Sequence, residues 1–303
     1  MGPHVVSQHL ISPSMLPVRE VWAVNLDSEM AYLRELVECY NFLAMNIEFP
    51  GVIARPIGSF LSGSDYYYQM LRCNVDLLKI IQLGITFSDS SGNFPPDACT
   101  WQFNFKFSLN DDMYSQDSIE LLQKNGIDFK RHEEYGIDVN YFGELLISSG
   151  FVLLDCVKWM SFHSSYDFGY LLKIMICNCL PVEENEFYEL LHIFFPKLYD
   201  IKYIIKFTNT LEGGLQDIAD DLRISRTGLG HQAGSGSFLI ARVFFELKMN
   251  FLKDILDDVK YTGYLYGLEN PGQEKGLDAI QATSSSVTNN LASNSHISNK
   301  EVF

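Results

Sequence analysis

Residues 100–107 alternate cleanly, with Trp101, Phe103, Phe105 and Phe107 at one set of positions and Gln102, Asn104 and Lys106 between them. Successive side chains of an extended chain point to opposite faces, so this period predicts a strand with one aromatic face turned inward. Such a face needs further strands and a covering layer before it can leave water. Residues 77–87 supply an apolar partner, and the polar, proline-ended stretch from Ser88 to Pro96 reads as the connection of a hairpin. We read the aromatic row as core and not as a platform on which RNA bases stack.

Around this hairpin the apolar period is helical. Met30, Leu33, Leu36, Val37 and Tyr40 recur at three- and four-residue spacing behind Asp27 or Ser28 as a cap. Residues 42–49 predict a buried strand, and residues 152–162 a second run interrupted by Asp155 and Lys158. Helices are expected over 166–176, 184–195 and 215–222, and from about Gly236 through Leu247. A hairpin followed by strands interleaved with helices implies an α/β fold built on a mixed sheet. With 47% hydrophobic and 14% aromatic residues in 303, the chain can bury a substantial core. One domain is expected over 19–268, after a flexible leader at 1–18. From 269 to 303 Gly, Ser, Asn, Thr and Gln dominate, which predicts a disordered Ser/Asn-rich tail.

Charge and cysteines narrow the function. With 22 Lys and Arg against 38 Asp and Glu the net charge is −16, unlike a protein that grips nucleic acid by phosphate neutralisation over a long footprint. Any RNA handling belongs to a confined cleft, through metal ions or a few local contacts. The six cysteines form no CxxC pair, which argues against zinc and suits a reducing compartment. No apolar run is long enough to span a bilayer and no signal pattern opens the chain, so a soluble intracellular protein with no membrane partner is expected.

Three stretches carry the residues that chemistry could use: Asn46-Ile47-Glu48-Phe49-Pro50-Gly51, Phe162-His163-Ser164-Ser165-Tyr166-Asp167-Phe168, and His231-Gln232-Ala233-Gly234-Ser235-Gly236. In a strand, Asn46 and Glu48 project to the same side. Two acids so placed could hold a divalent cation between them, since Mg²⁺ takes hard oxygen ligands. Asp167 falls in the first turn of its helix, where an inward carboxylate could meet that strand edge. His231 precedes another helix, and Gly236 stands five residues on. Asp217, Asp220 and Asp221 also share a helix face, which we read as a solvated one.

Longer runs identify a relationship. Glu20-Val21-Trp22-Ala23, the stretch from Glu48 to Pro56, the stretch from Leu71 to Gln82, Thr100 to Phe105, Asp117 to Leu122 and Phe162-His163-Ser164 resemble the DEDD-type 3′–5′ exoribonucleases, specifically their Pop/Caf deadenylase branch, over about residues 20–268. That resemblance implies a single-domain ribonuclease H-like fold and membership of the Ccr–Not mRNA deadenylation complex. It implies poly(A) RNA as substrate, 5′-AMP as product, and cytoplasmic and nuclear location. Partners would be the Not scaffold subunit and a deadenylase carrying leucine-rich repeats.

Four acidic residues holding two divalent cations, Mg²⁺ or Mn²⁺, and a histidine that activates water are what the resemblance implies for the site. Glu48 and Asp167 match two of the acids, and His231 matches the histidine. The other two metal positions depart, because asparagine stands at Asn46 and glycine at Gly236. Asparagine offers a neutral oxygen and glycine no side-chain ligand, whereas two cations roughly 3.5–4 Å apart need an anionic cage. The expectation is catalysis weakened or lost, with a scaffold or adaptor role left. The alternative is an active exoribonuclease with an altered metal site.

Overall fold

The structure, a computed structural model, describes residues 18–208, 211–252 and 261–268. The expected leader and tail lie outside the described residues, apart from Val18, which already belongs to a strand. In chain order the elements are β1 (Val18–Val21), α1 (Leu26–Cys39), β2 (Phe42–Glu48), α2 (Gly63–Leu77), β3 (Gln82–Ser88), β4 (Thr100–Asn104), α3 (Gln116–Lys124), α4 (Phe129–Tyr135) and α5 (Val139–Ile147). There follow β5 (Lys158–Ser161), α6 (Ser165–Ile176), α7 (Glu184–Phe194), β6 (Leu198–Asp200), α8 (Ile201–Ile205), α9 (Leu215–Asp221) and α10 (Ala233–Leu247), which runs into a π-helical turn.

Six strands form one mixed sheet in the order β1-β4-β3-β2-β5-β6. β3 runs antiparallel to both neighbours and every other pairing is parallel. Alternation along β2 decides which side each residue faces. Leu43, Met45 and Ile47 join a large core with α1, α2, α5, α6 and α7. Phe42 and Ala44 join a second core under α8, α9 and α10. Asn46 and Glu48 continue that second set, so both point to the side of α10.

The expected hairpin is present as β3 and β4, with Gln82 opposite Asn104 and Thr86 opposite Thr100. Trp101, Phe103, Phe105 and Phe107 are fully buried, as the alternation required. The intervening Gln102 and Asn104 are buried too, which a solvent-facing polar side would not be. Residues 77–87 divide: α2 ends at Leu77 and β3 starts only at Gln82. The run expected over 152–162 contracts to β5, with Leu153 in a left-handed conformation. At α1 the N-cap is Asn25, whose side-chain oxygen accepts from the Trp22 amide. Helix α10 begins three residues before Gly236, at Ala233.

Why α10 starts there is visible in its anchorage. The first amides of a helix lack intrahelical acceptors. Here the Ala233 amide donates to Gln82 Oε1 at 3.3 Å and the Gly234 amide to Gln102 Oε1 at 2.8 Å. Thr86 bonds both Thr100 at 2.8 Å and Ser237 at 2.9 Å. The buried polar side of β3 and β4 is thus a seat for the helix. Glycine makes the approach possible: a Cβ on Gly84 would lie 2.1 Å from the carbonyl oxygen of Ala233.

Candidate functional site

β5 pairs with β2 only from Phe42 to Ala44, so the last residues of β2 leave an open edge. Asp167, in the first turn of α6, fills it: the Ile47 amide donates to Asp167 Oδ1 at 2.9 Å. A backbone donor freed where two strands diverge is satisfied by a carboxylate that is 9% exposed. Glu48 stands one residue beyond, on the α10 side, with its side chain 14% exposed. His231, in a left-handed conformation just ahead of α10, places Nδ1 4.0 Å from Glu48 Oε2. Glu48, Asp167 and His231 are therefore brought to one place at the end of β2.

Asn46 and Gly236 are brought there as well, and they touch. A Cβ built on Gly236 would lie 2.6 Å from Asn46 Nδ2 and 2.7 Å from its Cγ. The asparagine amide lies against the bare helix backbone, in the space a side chain at 236 would need. Asn46 Nδ2 donates to the Ile47 carbonyl at 3.3 Å and, more weakly, to Glu48 Oε1 at 3.5 Å. Both neighbours are acceptors, which fixes the amide with its nitrogen toward them. A donor thus faces Glu48 where a cation would otherwise offset its charge.

Burial dominates the electrostatics. It pushes the Glu48 carboxyl up to about 8, with the nearby Asp167 adding to the rise and the Asn46 amide and Arg226 opposing it. Burial likewise pushes Asp167 up to about 7, against the Ile47 amide that favours its ionised form. The His231 imidazole is held below its usual range by burial and by the positive charge of Arg226. Arg226 itself is tethered, Nε to Gln216 at 2.9 Å and Nη1 to Ser235 at 3.4 Å. These residues can hold and move protons. They do not fit a pair of cations: among the described residues no three His, Cys, Asp or Glu side chains converge on a point that could hold a metal ion.

Two residues were missed in the sequence. Arg226 carries no motif, and only the fold brings it beside Glu48. Asp200 ends β6 and is fully buried, accepting from the amides of His163 at 2.8 Å, Ser164 at 3.3 Å, Lys202 at 2.9 Å and Tyr266 at 3.0 Å. An aspartate after an apolar strand and before a helix is a readable capping signal. His163 is structural in this setting, with a left-handed backbone held by Asp200. Asp217, Asp220 and Asp221 lie on the exposed face of α9, as read.

The strand order, with its one antiparallel member, and the acidic groups at the end of β2 and the start of α6 define a ribonuclease H-like nuclease scaffold. The chain belongs to the CAF1 family of ribonucleases, whose model matches residues 21–144 and 151–244. It is similar to Poly(A) ribonuclease pop2 of Schizosaccharomyces pombe, 55% identical over 262 residues that cover 86% of this chain and 78% of the relative. It is 49% identical to the Probable CCR4-associated factor 1 homolog 7 of Arabidopsis thaliana over 267 residues, covering 86% and 95%. Among solved structures, S. pombe Pop2p in its Mg²⁺- and Mn²⁺-bound form superposes with a TM-score of 0.81 at 56% identity, covering 83% of this chain and 100% of that one. The CAF1 chain co-crystallised with the yeast NOT1 MIF4G domain superposes at 0.71 and 36% identity, covering 86% and 100%.

Proposed function

We propose that this chain is a Ccr–Not deadenylase subunit whose own phosphodiester cleavage is weakened or lost and whose remaining work is that of a scaffold. One observation carries the reading: Asn46 packs directly against Gly236, at the two positions where the resemblance implies metal-binding carboxylates. Glu48 and Asp167 alone cannot offset two divalent cations at roughly 3.5–4 Å separation. The S. pombe relative was solved with Mg²⁺ and Mn²⁺, which supports divalent cations as the group such a site would take. His231 retains a base's position, without a paired metal site to present it with a polarised water.

The rest of the fold is kept. The yeast CAF1 structure was obtained with a NOT1 MIF4G domain, which supports docking on the Not scaffold as the retained contact. Bridging to a leucine-rich-repeat deadenylase and residence in both cytoplasm and nucleus belong to the same proposal. A second reading, an active exoribonuclease with an altered site, is favoured by the survival of Glu48, Asp167 and His231 together. Pull-down on an immobilised Not MIF4G fragment, beside cleavage of an oligo(A)-tailed RNA in Mg²⁺, separates the two. Binding without tail shortening supports the scaffold; shortening at a rate unchanged by Asn46→Asp/Gly236→Asp contradicts it.

A further inference from the structure

The α10 side of the sheet carries polar rows that begin in the site and run toward the sheet's edge. Opposite Glu48 on β3 stands Gln82, and opposite Gln82 on β4 stands Asn104. Asn46 leads the same way through Gly84 to Gln102, and Gln102 to Glu20 on the edge strand β1. Partners directly across a sheet share a face, so these side chains can meet. Glu20 Oε1 accepts from Gln102 Nε2 at 3.0 Å, and Glu20 Oε2 from Asn104 Nδ2 at 2.7 Å. Asn104 Oδ1 accepts from Gln82 Nε2 at 2.9 Å. Gln82 and Gln102 both donate onward to Gln232 Oε1, at 3.3 and 3.0 Å, and Gln232 Nε2 donates to the Asn125 carbonyl at 2.8 Å.

This ladder has one sense. A carboxylate only accepts, so Glu20 turns the nitrogens of Gln102 and Asn104 toward itself. Their oxygens then face away: Gln102 Oε1 takes the Gly234 amide, Asn104 Oδ1 takes Gln82 Nε2, and Gln82 Oε1 is left for the Ala233 amide. The same bonds hold Gln232, and through it the residue before. His231 has a left-handed backbone, which a residue with a Cβ keeps where its surroundings over-determine it. Anchoring Gln232 on Gln82, Gln102 and Asn125 supplies that hold from the C-terminal side. Seating the helix does not by itself call for a charge, since one row along Thr86, Thr100 and Ser237 do it with hydroxyls.

We propose that Glu20 is a positioning residue of the site, acting through Gln102, Asn104 and Gln82 to fix Gln232 and thereby the His231 imidazole beside Glu48. It works from the edge strand, three strands away from β2, and makes no contact with the reacting groups itself. The inference rests on the reading of His231 as the base at this site, and its first test needs no cleavage. Glu20→Gln keeps the shape but leaves one acceptor for two donors. Either Gln102 or Asn104 must then turn over or lose its partner, which leaves a buried donor unpaired at the start of α10.

Ring ¹H–¹⁵N spectra of His231 and hydrogen exchange at the Gly234 amide, both on the full chain without added metal, read the consequence. The comparison is Val37→Ala, which thins the core on the opposite face of the sheet and lowers stability without touching the ladder. Glu20→Gln should move the His231 ring signals and speed Gly234 exchange about tenfold, the effect of one lost hydrogen bond. Val37→Ala should leave the ring signals where the parent has them. Glu20→Asp, which keeps both acceptors on a shorter arm, should move them less than Glu20→Gln. Added to Asn46→Asp/Gly236→Asp, Glu20→Gln should lower kcat about tenfold or more with KM unchanged, because a group is misplaced while binding is not. Parent-like His231 signals and Gly234 exchange in Glu20→Gln overturn the proposal. An equal shift of the ring signals in Val37→Ala also overturns it, since stability alone would then account for the effect. A double variant that does not cleave contradicts the reading of the missing acids instead, and the spectra still decide what positions His231.

Discussion

At the scale of single residues, Asn46 and Gly236 are coupled, and the coupling is measurable. Gly236→Asp forces a Cβ to within 2.6 Å of Asn46 Nδ2 and brings a carboxylate near Glu48 and Asp167. Denaturant unfolding should show a loss of about 1–3 kcal/mol, the usual cost of overpacking. Asn46→Ala in the same chain should recover most of that loss, whereas additive effects would mean the two do not touch. The pH dependence follows from the raised carboxylates. Between about 4.5 and 8 the folded chain holds a proton on Glu48 that the unfolded chain has released. Stability from this group is therefore fully present below 4.5 and lost as pH rises through 8, with Asp167 acting the same way up to about 7. Unfolding midpoints should fall from pH 5 to pH 8 and fall less in Glu48→Gln; an equal fall in both would contradict the assignment.

Neighbouring residues on β2 were legible because a strand's period is two: Asn46 and Glu48 had to share a face, and they do. What the sequence could not show was the distance of that face from α10. That distance is set by Gly84, Gly234 and Gly236, whose missing side chains are informative only once β3 and the helix are known to meet. Arg226 stayed hidden for the same reason, since no local pattern announces a partner brought in by the fold.

At the scale of elements, the contact of α10 with β3 controls the site. The first turn of α10 carries Gly236, and a Cβ on Gly84 would meet backbone atoms of Ala233 and Gly234 at 2.1–2.6 Å. Backbone cannot turn aside as a side-chain end can, so Gly84→Ala must lift the helix start. A loss of about 3 kcal/mol or somewhat more is expected, above most overpacking, together with faster hydrogen exchange at the amides of Ala233 and Gly234. Unchanged stability would mean the helix does not sit on β3 this closely. β2, β4 and α6 were readable from their apolar patterns, whereas the boundary between α2 and β3 was not. Residues 77–87 form a continuous apolar run, and a buried helix end and a buried strand look alike over so short a span.

For the whole molecule, the packed cores and the acidic group at the end of β2 are separate features. Two cores on either side of one mixed sheet are filled by apolar side chains, while asparagine and glycine stand at positions 46 and 236, where the resemblance implies acids. Stability and partner docking depend on the former, and metal-dependent cleavage on the latter, so one can persist as the other declines. None of the helices among the described residues is long and apolar enough to cross a membrane. Relatives aligned over 86% of the chain show that the whole scaffold, and not one motif, is shared. The resemblance was legible because it rests on long runs; the close packing of Asn46 against Gly236 needed coordinates.

The most direct test is shortening of a labelled oligo(A)-tailed RNA in Mg²⁺ and then Mn²⁺, with the parent beside Asn46→Asp/Gly236→Asp. The account predicts an intact tail with the parent and progressive 3′ shortening with the double variant, since both missing acids would then be restored and the crowding at 236 costs stability without unfolding the chain. Shortening by the parent at a comparable rate would contradict it and require another acid to complete the site.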